Sequence, residues 1–188
     1  MPILSTSIEN LATRGNVIRT FLRPIAGRPG GPAWDNRPTA TGFIIATHDG
    51  APPTGDYRDW RFATILPGFR GMYFERWLRV GSDRKQIWYL ERAYLHLYET
   101  IDHVTGQEAE YLCLHVDPNL PNDSAHWIYK RGPHLHVSTA RHPIPHAHIA
   151  LNRGHLDDVL RSVESLSQAM ALAITMIREE ILDSLNVT

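Results

Sequence analysis

Residues 130–155 read KRGPHLHVSTARHPIPHAHIALNRGH, and six of the chain's eleven histidines lie there, from His134 to His155. Two pairs are spaced H-x-H: His134 with His136, and His146 with His148. In a strand, residues i and i+2 point to the same side, so each pair shares a face. The intervening VSTARHPIP suits a hairpin loop, and its prolines forbid helix. If the two strands pair with His136 opposite His146, their Cβ atoms stand ~5 Å apart and four imidazoles share one patch. From Ala125 to Leu156 there is no Asp or Glu, only the basic residues Lys130, Arg131, Arg141 and Arg153.

Three kinds of chemistry fit this pattern. Imidazoles near their unperturbed pKa of ~6.5 serve as general base and general acid at neutral pH. His134, His136, His146 and His148 are then the catalytic set of a metal-independent phosphodiester cleavage. Lys130, Arg131 and Arg141 hold phosphate, while Tyr129 or Trp127 stacks on a base. No cofactor is required on that reading. Alternatively, the same four histidines coordinate zinc or another transition metal. The segment lacks the carboxylate of a two-His, one-carboxylate iron triad, so one would have to arrive from elsewhere, Glu91 or Glu99 for example. In the third reading the histidines only hold the fold, donating to backbone carbonyls.

The elements that must position this segment are legible around it. Residues 5–23 place Ile8, Leu11, Ile18, Phe21 and Leu22 at helical spacing behind a Ser/Thr cap, with Gly15 against it. Residues 24–41 are rich in Pro and Gly and read as loop. A strand is expected at Gly42–His48, then strands over Tyr73–Val80, Gln86–Tyr98 and Tyr111–Val116. Pairing Leu97 with Leu112, Leu95 with Leu114 and Ala93 with Val116 gives the second hairpin an aliphatic face. Its other face then collects Tyr94, His96, Tyr98, Tyr111, Cys113 and His115, which suits a position beside a site. Trp127–Lys130 and His134–Ser138 read as one bent strand and His146–Leu151 as its neighbour. From about residue 154 to 186 a stripe of Leu156, Val159, Leu160, Val163, Leu166, Met170, Ala173, Ile174, Ile177, Ile181 and Leu185 predicts one amphipathic helix, or two with a break near Ser165–Gln168.

The fold expected is a single α+β domain over residues 1–188. It is a twisted antiparallel meander with an N-terminal helix and a long C-terminal helical region packed on one face. Residues 1–41 supply the helix and loop, 42–151 the β-rich part with the histidine hairpin, and 154–186 the C-terminal helix. Part of the last stripe could instead contact a second copy or a protein partner, which gives a non-catalytic interaction protein as a further alternative.

The run IYKRGPHLHVSTARHPIPHAHIAL followed by LDDVLRSVESL resembles the C-terminal part of the TumE-type toxins of toxin–antitoxin systems. Members carry P-H-H and, about ten residues on, P-H-H-x-H. The matching positions are Pro133, His134 and His136, then Pro145, His146 and His148. The resemblance covers about residues 127–165, and where the family has Arg-Tyr-Asp-Asn this chain has Tyr-Lys-Arg-Gly. It implies a toxin-like or defence-associated protein acting on RNA.

Composition bounds the rest. The chain has 188 residues, 43% hydrophobic and 21% charged with a net charge of −1, which excludes a disordered polyelectrolyte. No apolar run reaches the ~20 residues that span a bilayer, and MPILSTSIENLATRG has no basic-then-apolar signal pattern. A cytoplasmic protein is expected. The single cysteine, Cys113, excludes an internal disulfide and lies in the apolar run YLCLHV, as a packed thiol rather than a nucleophile. No phosphate-binding glycine loop, H-E-x-x-H or G-x-S-x-G is present.

Overall fold

The computed structural model describes residues 4–51, 53–81, 87–118, 132–137, 147–151 and 156–185. The chain is mixed α+β. Helix α1 (Ile8–Leu22) starts at Ser7, whose side chain accepts from the Asn10 amide, as the cap signal predicts. The strands follow in order: β1 (Ser5–Thr6) before the helix, then β2 (Ala33–Thr39), β3 (Gly42–His48), β4 (Phe62–Ala63), β5 (Phe69–Val80), β6 (Ile87–Asp102), β7 (Gln107–Val116), β8 (His134–Val137) and β9 (Ala147–Ala150). All pairings are antiparallel along the path β2-β3-β5-β6-β7-β8-β9. The long strands β5 and β6 also take on short partners: β4 pairs with the start of β5, and β1 with the start of β6.

Ala33–Thr39, expected as loop, is instead a strand. It lies at the end of the strand path, and proline is tolerated on an edge strand because no ladder donor is needed outward. Gly15 does not weaken α1 for nothing: a Cβ there would come within 2.0 Å of the Trp34 ring, so the glycine admits β2's tryptophan against the helix.

The β6–β7 hairpin has the predicted register, with Ala93, Leu95 and Leu97 opposite Val116, Leu114 and Leu112. Its turn is closed by Asp102, whose side chain accepts from the amides of Val104 and Thr105, and by Gly106 at φ 71°. A bulge at Leu97/Tyr98 changes one expectation. Tyr98 stands opposite Glu110, not Tyr111, and the Tyr111 ring packs edge-on against Phe69 beside the main core.

The aliphatic face of that hairpin joins Leu11, Ile18 and Leu22 of α1 and Leu166, Met170 and Ile174 of the C-terminal helix in one buried cluster. Each such side chain contributes about 1.5–3 kcal/mol on leaving water. The helical region is α2 (Leu156–Val159), α3 (Val163–Met176), a π-helical stretch (Ile177–Leu182) and α4 (Asp183–Leu185). The break falls at residues 160–162, where Ser162 caps α3, rather than at Ser165–Gln168. The later serines do not interrupt the helix because Ser167 turns its hydroxyl onto the Val163 carbonyl. The wider π turn moves the buried position to Leu182, leaving Ile181 half-buried and Leu185 at the surface.

One charged pair crosses this core. Glu75 of β5 is fully buried and accepts from the Arg14 guanidinium at 2.7 Å, the Tyr73 hydroxyl at 2.7 Å and the Trp77 indole at 2.9 Å. Arg14 also donates to Ser167, so the network ties α1 to both β5 and α3. Burial works against the Arg14 charge, but the carboxylate outweighs it and holds the guanidinium's pKa above its ordinary value.

Candidate metal centre

The opposite sheet face is assembled by strand alternation into two rows. Across β5, β6, β7 and β8, the register aligns Phe74, Tyr94, His115 and His134. The next row aligns Met72, His96, Cys113 and His136. At the β5 side the face is apolar, with Ile44, Ala46, Trp60, Met72 and Phe74 forming a second buried cluster. Toward β7 and β8 it becomes a field of imidazoles.

His115 is its centre. Its ring stacks on Tyr94 at 3.9 Å between centroids and on His136 at 5.3 Å, with His134 edge-on at 5.9 Å and His96 tilted at 5.1 Å. Burial first, then the neighbouring imidazoles, pushes the His115 pKa down to about 3, so the ring is neutral at physiological pH. Its Nε2 is buried without a hydrogen-bond partner among the described residues.

His134 is fully buried, and its Nδ1 lies 3.0 Å from the Gly132 carbonyl. A carbonyl only accepts, so Nδ1 carries a proton, and in the neutral ring the lone pair is then on Nε2. A backbone carbonyl fixing one ring nitrogen in this way is the usual support of a metal-binding histidine. Asp117, one residue beyond β7, accepts from the Tyr94 hydroxyl at 2.5 Å. Burial and that carboxylate raise the Tyr94 pKa. Donor atoms of His115, Asp117 and His134 all lie within 4.8 Å of one another.

A second set stands alongside. His96 Nδ1 lies 2.7 Å from Glu110 Oε2 and 3.0 Å from Cys113 Sγ. The His96 contact holds Glu110 down at about 2, ahead of an opposing burial effect. Burial pushes the Cys113 thiol up, with Glu110 adding to it, so an unassisted thiolate nucleophile is disfavoured. Tyr98 stacks over His96, and the Arg61 guanidinium covers the Tyr98 ring at 4.1 Å.

Of the residues singled out in the sequence, His134 and His136 lie in β8 within this field. His148 stands opposite His136 in the register, a correction of two residues to the expected His136–His146 pairing. A two-residue slide leaves the strand alternation intact, and Pro143 and Pro145 offer no amide donors, which favours a ladder built from the residues after them. His146, Lys130, Arg131, Arg141, Tyr129 and Trp127 lie outside the described residues. Glu91 is engaged by Arg76 at 2.9 Å, and neither it nor Glu99 belongs to the converging donor sets. The carboxylate candidates are Asp117, which belongs to one of those sets, and Glu110, which belongs to neither but lies 2.7 Å from His96 Nδ1.

Sequence reasoning placed His96, Cys113 and His115 on one face but did not join them to His134 and His136, because strand order was needed for that. Asp117 was legible in the spacing C-x-H-x-D over residues 113–117, which keeps the alternation one step past the strand. Glu110 was not, because the bulge reverses its face. No helix among the described residues is long and apolar enough to cross a membrane. No protein-family model matches the chain, and comparison with curated proteins and with solved structures gives no match either, so the likeness of residues 127–165 to TumE-type toxins rests on its own residues.

Proposed function

We propose that this sheet face carries a transition-metal centre with His115, His134 and Asp117 as its protein ligands. The observation that carries the reading is the convergence of those donors within 4.8 Å, with His134 already oriented by the Gly132 carbonyl. Zinc–nitrogen and zinc–oxygen bonds of about 2.1 Å put tetrahedral donors about 3.4 Å apart, a separation that small side-chain adjustments reach. Two imidazoles and one carboxylate suit zinc or iron(II) and leave a coordination position open. With zinc, that position supplies a hydroxide-like nucleophile near neutral pH.

The substrate class we assign is a phosphodiester, RNA above all. The carboxylate-free stretch with Lys130, Arg131 and Arg141 suits a polyanion, and the toxin-like run points the same way. Tyr94 holds Asp117, and Gly132 holds His134, so both ligands are fixed from behind. Elemental analysis after zinc loading tests the centre. At least one equivalent is expected in the wild type, with that equivalent lost in His134→Ala. Retention of all bound metal by His134→Ala overturns the ligand assignment.

The metal-independent reading keeps one observation in its favour, the His96–Glu110 pair at 2.7 Å, an imidazole oriented by a carboxylate. Chelation separates the two. Ribonuclease activity that survives complete metal removal favours acid–base cleavage; activity lost on chelation and restored by zinc favours the centre.

A further inference from the structure

We infer that the same face holds a second cation position, formed by His96 Nδ1, Cys113 Sγ and Glu110 Oε2, that takes a thiophilic divalent ion such as zinc or cadmium. This deepens the metal reading above and rests on it, but it is built from other residues.

Three features carry it. The β6–β7 register sets His96 directly opposite Cys113. The bulge at Leu97/Tyr98 then brings a carboxylate to this face where unbroken alternation would present Tyr111. The result is a nitrogen, a sulfur and an oxygen within 3.0 Å of the His96 ring nitrogen or at it. Bulges of this kind recur where a strand must re-aim a side chain at a functional site. Donor atoms of His96, Cys113 and His115 also lie within 4.8 Å of one another, so the position adjoins the first centre.

The donor set explains its selectivity. A thiolate and a carboxylate together balance a divalent charge, and the sulfur favours zinc or cadmium over magnesium or calcium. On binding, Cys113 forms a sulfur–metal bond and releases its thiol proton to solvent. Glu110 exchanges its hydrogen bond with His96 for a metal–oxygen bond. His96 coordinates through Nδ1 and carries its proton on Nε2. No oxidation state changes.

The test is a cobalt(II) titration of the chelator-treated full chain, read by elemental analysis and by thiolate-to-cobalt charge-transfer absorption. The wild type is expected to bind two equivalents, one of them with the thiolate band. Cys113→Ser should lose the band and one equivalent. Glu110→Gln, a change of similar shape at a partly exposed side chain, should weaken the same equivalent by at least about tenfold. His134→Ala should lose the other equivalent and keep the band. Circular dichroism checks each variant, and the wild-type band with Glu110→Gln decides the matter if Cys113→Ser does not fold. A wild type that binds cobalt without a thiolate band overturns this position and leaves the first centre standing. Binding of no ion at all overturns both.

Discussion

At the scale of single residues, the chemistry of this chain depends on which polar groups are satisfied inside it. Glu75 is matched by Arg14, Tyr73 and Trp77, and that network makes a sharp prediction. Arg14→Met leaves a buried carboxylate uncompensated and should lower unfolding free energy by about 3–5 kcal/mol in urea denaturation. Adding Glu75→Gln should recover part of the loss; a single variant within 1 kcal/mol of wild type, roughly, would contradict the network's role. His48 offers a pH test. Its Nδ1 accepts from the Gly50 amide, and burial lowers its pKa despite the opposing pull of Asp35 and Asp49. Because the folded value is depressed, its stabilisation is full above the unfolded value of about 6.5 and declines as pH falls below it. Urea midpoints in His48→Asn should be less sensitive to pH below 6.5, roughly, than in wild type. Neither feature was legible in the sequence, because Arg14 and Glu75 lie 61 positions apart and no local pattern joins them.

Elements were more legible, for a physical reason. Periodicity records which side of a strand or helix meets the core, so α1, the β6–β7 register and the C-terminal stripe followed from apolar spacing alone. What periodicity misses is an inserted residue. The bulge at Leu97/Tyr98 and the π turn at Ile177–Leu182 each shift the pattern without a sequence mark of their own. The capping serine at 162 was also masked by the serines after it. Ser162→Ala should reduce stability by about 1 kcal/mol and lower the melting temperature, whereas Ser165→Ala should change it little. Equal effects from the two substitutions would move the helix start.

For the whole molecule, the sheet separates two environments. One face shares its core with α1 and α3; the other runs from the aromatic cluster at Trp60 and Phe74 to the imidazoles of β6, β7 and β8. The sequence drew attention to residues 134–148, of which residues 134–137 and 147–148 are among those described. Strand β8 carries His134 and His136 into one field, where the ring beside both is His115, about 20 positions earlier, which in turn meets His96. Only the adjacency of β7 to β8 could reveal this. A metal bound there must also stabilise the fold by linkage. Zinc at about a hundred times its dissociation constant adds about 2.7 kcal/mol to the stability of a one-site protein. The melting temperature should therefore rise with zinc and fall back with a chelator.

The most direct measurement is the zinc content of the zinc-loaded, buffer-exchanged full chain by elemental mass spectrometry, compared with His115→Ala. The centre predicts stoichiometric zinc in the wild type and the loss of at least one equivalent in the folded variant. Wild-type protein that emerges without zinc, or a variant that keeps every equivalent, would contradict it.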